Sequence, residues 1–311
     1  MRATALSNGP RLPGSAVMLV MILLLTGSLG WTASAGTPFA DEPIAPAAAL
    51  STTASSGSAA PAEATSAGQR IRVGSYNIAH ARGNKTGGLN ELARLKNLRG
   101  IADLIKAQKL DIVGFQEISS HDLRAAFRDQ TKYLAQRTGL THHVYAENVE
   151  ILGGLLATQG NAVISRFPIV SWVNHPLYRS DPKREPRSCL EVLLDLGQGR
   201  KLRLFVVHLS TDATESTRQI QEVWGLIEKA TEPVILLGDF NSRPGSERIK
   251  WLKQRMTDTT SRVSTTYLDK PGVKIDYHFI KGDITGGTAS VMGFAEGYSD
   301  HGCLINDYLV K

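Results

Sequence analysis

The sequence of residues 70–311 predicts an α/β (α+β) fold in which two packed β-sheets carry helices on their outer faces. Three observations carry this reading. Short apolar runs rich in Val, Ile, Leu and Phe outnumber the amphipathic ones. The amphipathic runs are inserted between the strand-like ones rather than gathered at one end. And short polar motifs recur in one order, each closing a strand-like run: Tyr76-Asn77-Ile78, Gln116-Glu117, His208-Leu209, Gly238-Asp239-Phe240-Asn241, Ile275-Asp276-Tyr277 and Ser299-Asp300-His301.

In order, Ile71 to Ile78 alternates loosely and is the first strand. Glu91 to Gln108 sets Leu92, Leu95, Leu98, Ile101 and Ile105 at helical spacing. Asp111 to Glu117 is a strand buried on both faces, and Leu123 to Arg137 a helix stopped by Gly139. His142 to Tyr145 and Asn161 to Ser165 are strands around a Gly-rich hairpin. Ser188 to Leu196 and Lys201 to Leu209 pair through a Gly197-Gln198-Gly199 turn. Thr217 to Lys229 is a helix, Val234 to Leu237 a short apolar strand, and Ser246 to Arg255 a further helix. Ile275 to Ile280 and Cys303 to Val310 close the chain as strands.

The first 69 residues stand outside this domain. Arg2 and Arg11 precede an apolar run from Ala16 to Leu29, followed by Ala33-Ser34-Ala35, so residues 1–35 have the pattern of a cleaved export signal. An uncleaved membrane anchor is the lesser alternative, because Gly27 and Gly30 interrupt a run already short for a span. Residues 36–69 are almost wholly Ala, Ser, Thr, Pro and Gly, too poor in apolar bulk to offset ordering entropy, and are expected to be a disordered linker. The protein is therefore expected in the periplasm or secreted.

The whole chain has a formal charge of +6. Setting aside Arg2, Arg11, Asp41, Glu42 and Glu63 leaves 33 basic against 26 acidic residues. The balance suits polyanions, but no dense basic block stands out, and aromatics are only 6% of the chain, sparse for a stacking groove. Cys189 and Cys303 could pair in an oxidising compartment or sit as buried free thiols. Two cysteines alone make no zinc site.

The polar motifs supply carboxylates, amides and imidazoles with almost no nucleophilic Ser or Cys. That inventory suits a hard, oxygen-liganded cation and attack by water on a phosphate ester. Asp239 and Asn241 stand two apart beyond Gly238, either as a catalytic pair or as an Asx turn. Glu117 ends a strand otherwise free of charge, and His301 needs a carboxylate to hold its ring, for which Asp276 is the candidate. His208 also ends an apolar strand.

The ordered set Asn77, Gln116-Glu117, Gly160 to Arg166, His208-Leu209, Gly238 to Asn241, Ile275 to Tyr277 and Ser299 to His301 resembles the endonuclease/exonuclease/phosphatase superfamily, with its deoxyribonuclease-I-like fold. The resemblance implies a four-layer sandwich of two mostly antiparallel sheets flanked by helices. It implies Mg²⁺ (or Mn²⁺) held by Glu117 with Asn77 and Asp300. Asp239 and Asn241 would position or deprotonate the attacking water and hold a phosphate oxygen. His301, oriented by Asp276, would lie against the scissile phosphate, with His208 opposite and Arg187 contacting the substrate phosphate. His80 is expected near the cleft without a catalytic part, Asn161 in the core of its hairpin, His142 and His143 outside the site, and Arg82 to Asn90 as a loop over it.

The expected activity is a metal-dependent phosphodiesterase acting on a nucleic acid or a phospholipid headgroup, as a monomer with no obligate protein partner. The apolar hairpin Ile151 to Leu156 admits the lipid alternative (a sphingomyelinase-, phosphoinositide- or lipid-remodelling type of hydrolase), and a catalytically silent exported binding module is the alternative of another class.

Overall fold

The computed structural model describes residues 68–83, 91–122, 125, 127–151, 157–268, 270 and 272–311. The expected signal and all but the end of the expected linker, and most of the Arg82–Asn90 loop, lie outside these residues, as does the tip of the apolar hairpin (152–156).

Two sheets form the body. The first comprises β1 (Gln69–Asn77), β2 (Ile112–Ile118), β3 (His142–Ile151), β4 (Ala157–Ser165), β11 (Ile284–Gly286), β12 (Ser290–Met292) and β13 (Cys303–Val310), in the order β11-β13-β1-β2-β4-β3 with β12 also on β13. The second comprises β5 (Ile169–Pro176), β6 (Ser188–Gly197), β7 (Arg200–His208), β8 (Val234–Asp239), β9 (Thr257–Asp258) and β10 (Asp276–Lys281), in the order β5-β6-β7-β8-β10-β9. Only β1–β2 and β7–β8 run parallel; the other named pairs are antiparallel.

Alternation along the strands builds the layers. Ile71, Val73, Ile112 and Val163 of the first sheet pack against Leu204, Val206, Ile235 and Leu237 of the second, filling the space between them. The opposite face of the first sheet (Val113, Phe115, Ile164, Ile305) is covered by α1 (Glu91–Ala107) and α2 (Gln130–Thr138) through Leu98, Ile101, Ile105 and Leu134. The opposite face of the second (Phe205, Leu236, Phe279) is covered by α3 (Ala213–Ile227) and α4 (Glu247–Lys253) through Ile220, Val223, Ile249 and Leu252. The four-layer sandwich expected from the sequence is the fold.

Several boundaries differ, each for a local reason. α2 starts at Gln130 rather than Leu123, because Asp129 is extended and its side chain accepts the Lys132 N–H at 2.9 Å. α3 starts at Ala213, four residues before the expected Thr217, because Asp212 caps the amides of Thr214 and Glu215. The edge strand β5 and the short strands β9, β11 and β12 escape sequence reading: the first is largely exposed and lacks alternation, and the rest are only two or three residues long. Cys189 and Cys303 are unpaired and buried in different layers, one beneath the helices of the second sheet and one beneath those of the first, so the disulfide does not form.

Candidate active site

The site forms where the last residues of strands from both sheets meet. Parity selects its members: Asn77, His208, Asp239 and Asp276 continue the inward-facing positions of Val73, Val206, Leu237 and Ile280. In the second sheet three of them stand in one row, since His208 pairs with Asp239 across β7–β8 and Asp239 with Asp276 across β8–β10. Glu117 breaks the pattern, because Val113 and Phe115 of the same parity face the helices. A register shift between Phe115 and Ile118 and a left-handed backbone at Glu117 (φ 49°) re-aim the carboxylate toward the site. Gly238 (φ 141°), next to last in β8, lies against the Val207 backbone and brings β7 and β8 close.

Asn77 ties the two sheets together. Its Nδ2 donates to Glu117 Oε1 at 3.0 Å and to Asp239 Oδ2 at 3.2 Å, while its Oδ1 accepts the Ala79 N–H at 3.1 Å. Asn77 thus presents its amide nitrogen to the carboxylates and gathers them, rather than offering an oxygen. The His208 Nε2 lies 3.8 Å from Glu117 Oε1 and 3.6 Å from Asp239 Oδ2. Burial, then Arg187 and the other two imidazoles, push the His208 pKa well down, so these are contacts of a neutral ring rather than ion pairs. Arg187 Nη1 lies 2.6 and 2.8 Å from the two ring nitrogens, and Glu185 holds the guanidinium at 3.1 Å.

His301 Nδ1 meets Asp276 Oδ2 at 3.0 Å, and its Nε2 lies 3.7 Å from Asp239 Oδ2. Burial opposes a charge on this ring, but Asp276, Asp239 and Asp300 overcome it and raise its pKa to about 10. Asp239 is raised to about 7, first by burial and then by Asp276, with Glu117 adding to the effect. Asn241, also left-handed (φ 47°), donates its backbone N–H to Asp239 Oδ1 at 2.8 Å and its Nδ2 to Leu209 O at 2.9 Å. Asp300 accepts from Arg82 Nη2 at 2.8 Å, so a guanidinium meets its charge here.

Asp239, Asp276 and His301 offer atoms all within 4.8 Å of one another, the spacing of a metal cluster. Asp276 takes His301 Nδ1, an arrangement that can hold and pass a proton. The oxygen donor outside this trio that suits a hard divalent cation is Glu117, whose carboxylate shares the Asn77 amide with Asp239.

All the residues expected from the sequence therefore gather at one end of the sandwich, linked through Asn77, Asp239 and His301. Asn161 is in the core as expected, donating to Ser188 O at 3.1 Å. Sequence reading missed Tyr267, whose ring lies edge-on to His301 at 5.0 Å, and Thr266, whose hydroxyl accepts the Asp276 N–H at 3.1 Å. Neither ends an apolar run, so nothing in the pattern marks them.

With this geometry goes a match to the Endonuclease/Exonuclease/phosphatase family over residues 74–301, and the chain belongs to that family. Solved structures share the fold. An endonuclease/exonuclease/phosphatase from Beutenbergia cavernae DSM 12333 is 21% identical, with 78% of this chain and 72% of that one covered and a TM-score of 0.64. The mannosyl-6-phosphatase of Bacteroides thetaiotaomicron VPI-5482 is 17% identical (77% and 99% covered, TM-score 0.61). The human Nocturnin catalytic domain with bound sulfate is 18% identical (78% and 95% covered, TM-score 0.57). No curated protein sequence matches the chain significantly.

Proposed function

We propose that this protein is an exported, divalent-metal-dependent phosphodiesterase that hydrolyses a nucleic acid or a phospholipid headgroup by in-line attack of water. The observation that carries the reading is the convergence of Glu117 and Asp239 on Asn77, with the Asp276–His301 pair beside them. A Mg²⁺ or Mn²⁺ ion held by Glu117 would supply charge neutralisation on the phosphate. Asp300, also expected as a ligand, would have to release Arg82 to join it.

The raised pKa values divide the remaining work. With a pKa of about 10, His301 is an imidazolium at neutral pH and offers its Nε2 proton to a phosphate oxygen. With a pKa of about 7, Asp239 is poised to take the proton of the attacking water. Asn241 holds the Asp239 carboxylate through its backbone N–H and leaves its side-chain oxygen for the water or substrate. His208, neutral and backed by Arg187, forms the opposite wall, where an arginine fork suits a phosphate oxygen.

Export rests on the sequence of residues 1–35 and is tested by cell fractionation: protein retained in the cytoplasm at full length rejects it. The activity is tested with bis-p-nitrophenyl phosphate and Mg²⁺ or Mn²⁺. Hydrolysis should stop with EDTA and in Glu117→Ala and His301→Ala; metal-independent turnover in both variants rejects the assignment. A panel of plasmid DNA, RNA, sphingomyelin and phosphoinositides then separates nuclease from lipid hydrolase. A sugar phosphate monoester belongs beside them, because one neighbour of the fold is named a mannosyl-6-phosphatase.

A further inference from the structure

We propose that His80 is a metal ligand, and that with Glu117 it makes a mixed nitrogen–oxygen site selecting a first-row transition cation of the Mn²⁺ or Zn²⁺ class over Mg²⁺. The inference rests on the reading of Glu117 as a cation ligand and adds a donor to it.

The first observation is backbone strain. Ala79, His80 and Ala81 form a turn with φ of 44°, 56° and 58°, three consecutive left-handed residues and no glycine. L-residues resist this conformation, and it persists only where surroundings over-determine it. Here they do. Asn77 Oδ1 accepts the Ala79 N–H, Asn97 Nδ2 donates to Ala81 O at 2.9 Å, and the His80 carbonyl accepts from Gln130 Nε2 at 3.1 Å and Arg94 Nη1 at 3.3 Å. Two helices thus clamp one residue in a disfavoured conformation whose effect is to bring His80 up to Glu117.

The second observation fixes the tautomer. The Ser119 hydroxyl donates its single proton to Thr158 O at 2.8 Å, and the same oxygen lies 2.8 Å from His80 Nδ1. With its proton committed, Ser119 can only accept, so Nδ1 carries the hydrogen and Nε2 is the nitrogen whose lone pair a cation would take. Gln130, fully buried, braces the same pair by accepting the Ser119 N–H at 3.0 Å while donating to His80. A histidine whose far nitrogen is pinned by a hydrogen-bond acceptor is the usual state of a metal-bound imidazole.

The third observation is the spacing. His80 Nε2 lies 3.7 Å from Glu117 Oε2, too long for a hydrogen bond. Two donors each about 2.1 Å from one ion stand at most about 4.2 Å apart, so the pair fits around a shared cation. His208 is nearly as close to Glu117, but the Arg187 guanidinium lies against its ring and repels a cation there. Imidazole nitrogen favours transition ions, whereas Mg²⁺ prefers oxygen alone, so the His80 donor shifts the preference of the site.

Full-length protein loaded with Mn²⁺ and read by pulsed EPR tests this directly, because the method detects ¹⁴N bound to the ion. The wild type should show the nitrogen coupling, His208→Gln and His301→Gln should keep it, and His80→Gln should lose it. His80→Gln should also weaken Mn²⁺ binding about tenfold or more and Mg²⁺ binding by less than about twofold, with Ser119→Ala weakening Mn²⁺ binding in between. A wild-type spectrum without nitrogen, or one unchanged in His80→Gln, overturns the proposal and leaves His80 as an ion-pair partner of Glu117. Glu117→Gln separates the two levels. Unchanged Mn²⁺ affinity there would reject the cation site itself, whereas Glu117-dependent but nitrogen-free binding rejects only the role of His80. Circular dichroism checks that His80→Gln is folded; should it not be, the wild-type, His208→Gln and His301→Gln spectra decide by elimination.

Discussion

Asp239 and Asp276 are register partners on the adjacent antiparallel strands β8 and β10, which sets two buried carboxylates side by side with the His301 ring between them. Neither acid is at a surface where water could screen the pair, so the arrangement depends on where its protons sit. The strand register therefore controls the chemistry of the site directly, and it makes the stability of the protein depend on pH.

In cation-free protein, stability should fall as pH rises from about 6 to 10. The pKa of His301 is raised from 6.5 to about 10, so its contribution is complete below about 6.5 and is lost as pH passes through 10. Asp239, raised from 3.8 to about 7, works in the same direction: the folded state holds a proton that the unfolded chain releases, and that gain is lost through pH 7. Thermal unfolding in EDTA across this range checks it, with His301→Gln flattening the upper arm. A melting temperature that is level or rising from pH 6 to 10 would contradict the assigned protonation states.

Asp276→Asn should lower kcat by roughly 10²–10⁴ with little change in KM, by analogy with carboxylates that orient a catalytic imidazole elsewhere. The amide keeps the shape of the side chain but removes the charge that holds His301 protonated. The variant should therefore also lose the alkaline pH–stability arm, which a merely structural role would leave in place. Hydrolysis of bis-p-nitrophenyl phosphate at several pH values reads both effects.

The site was largely legible in the sequence because its members occupy strand ends, and strand ends are where an apolar run visibly stops. Asn77, His208, Asp239 and Asp276 keep the inward parity of the core residues before them, so pattern and geometry agree. The four layers were legible for the same reason, since buried strands and amphipathic helices carry their own periods. Glu117 was found although parity points it the wrong way, because its motif outweighed the alternation that a bulge overrides. What stayed hidden depends on backbone conformation and long-range pairing. The left-handed turn at His80 contains no glycine to announce it, and Gln130 and Ser119 reach His80 across distant segments.

Cys189 and Cys303 should behave as two inert thiols. Both are fully buried, and burial above all raises their pKa far above that of a free cysteine, leaving almost no thiolate. A thiol reagent such as Ellman's should find none in the native protein and two after denaturation. The melting temperature should be the same with and without reductant; a loss on reduction would mean that the two are bridged.

Gly238 and Gly225 should respond to alanine in opposite ways. Gly238 combines a φ of 141° with a site where a Cβ would fall on the Val207 carbonyl oxygen, and Val207 is its own register partner across β7–β8. Relief requires the two strands to separate where His208 and Asp239 pair. Gly238→Ala should therefore cost about 3 kcal/mol or more and lower the melting temperature by roughly 6–12 °C for a domain of this size. Gly225 lies within α3 at a right-handed position with open space beyond its Cα. Gly225→Ala should raise stability by about 0.5–1 kcal/mol, by removing backbone freedom from the unfolded chain. Thermal melts of the two variants side by side check both signs, and equal shifts would show that the close approach of β7 and β8 at Gly238 is not what positions His208 and Asp239.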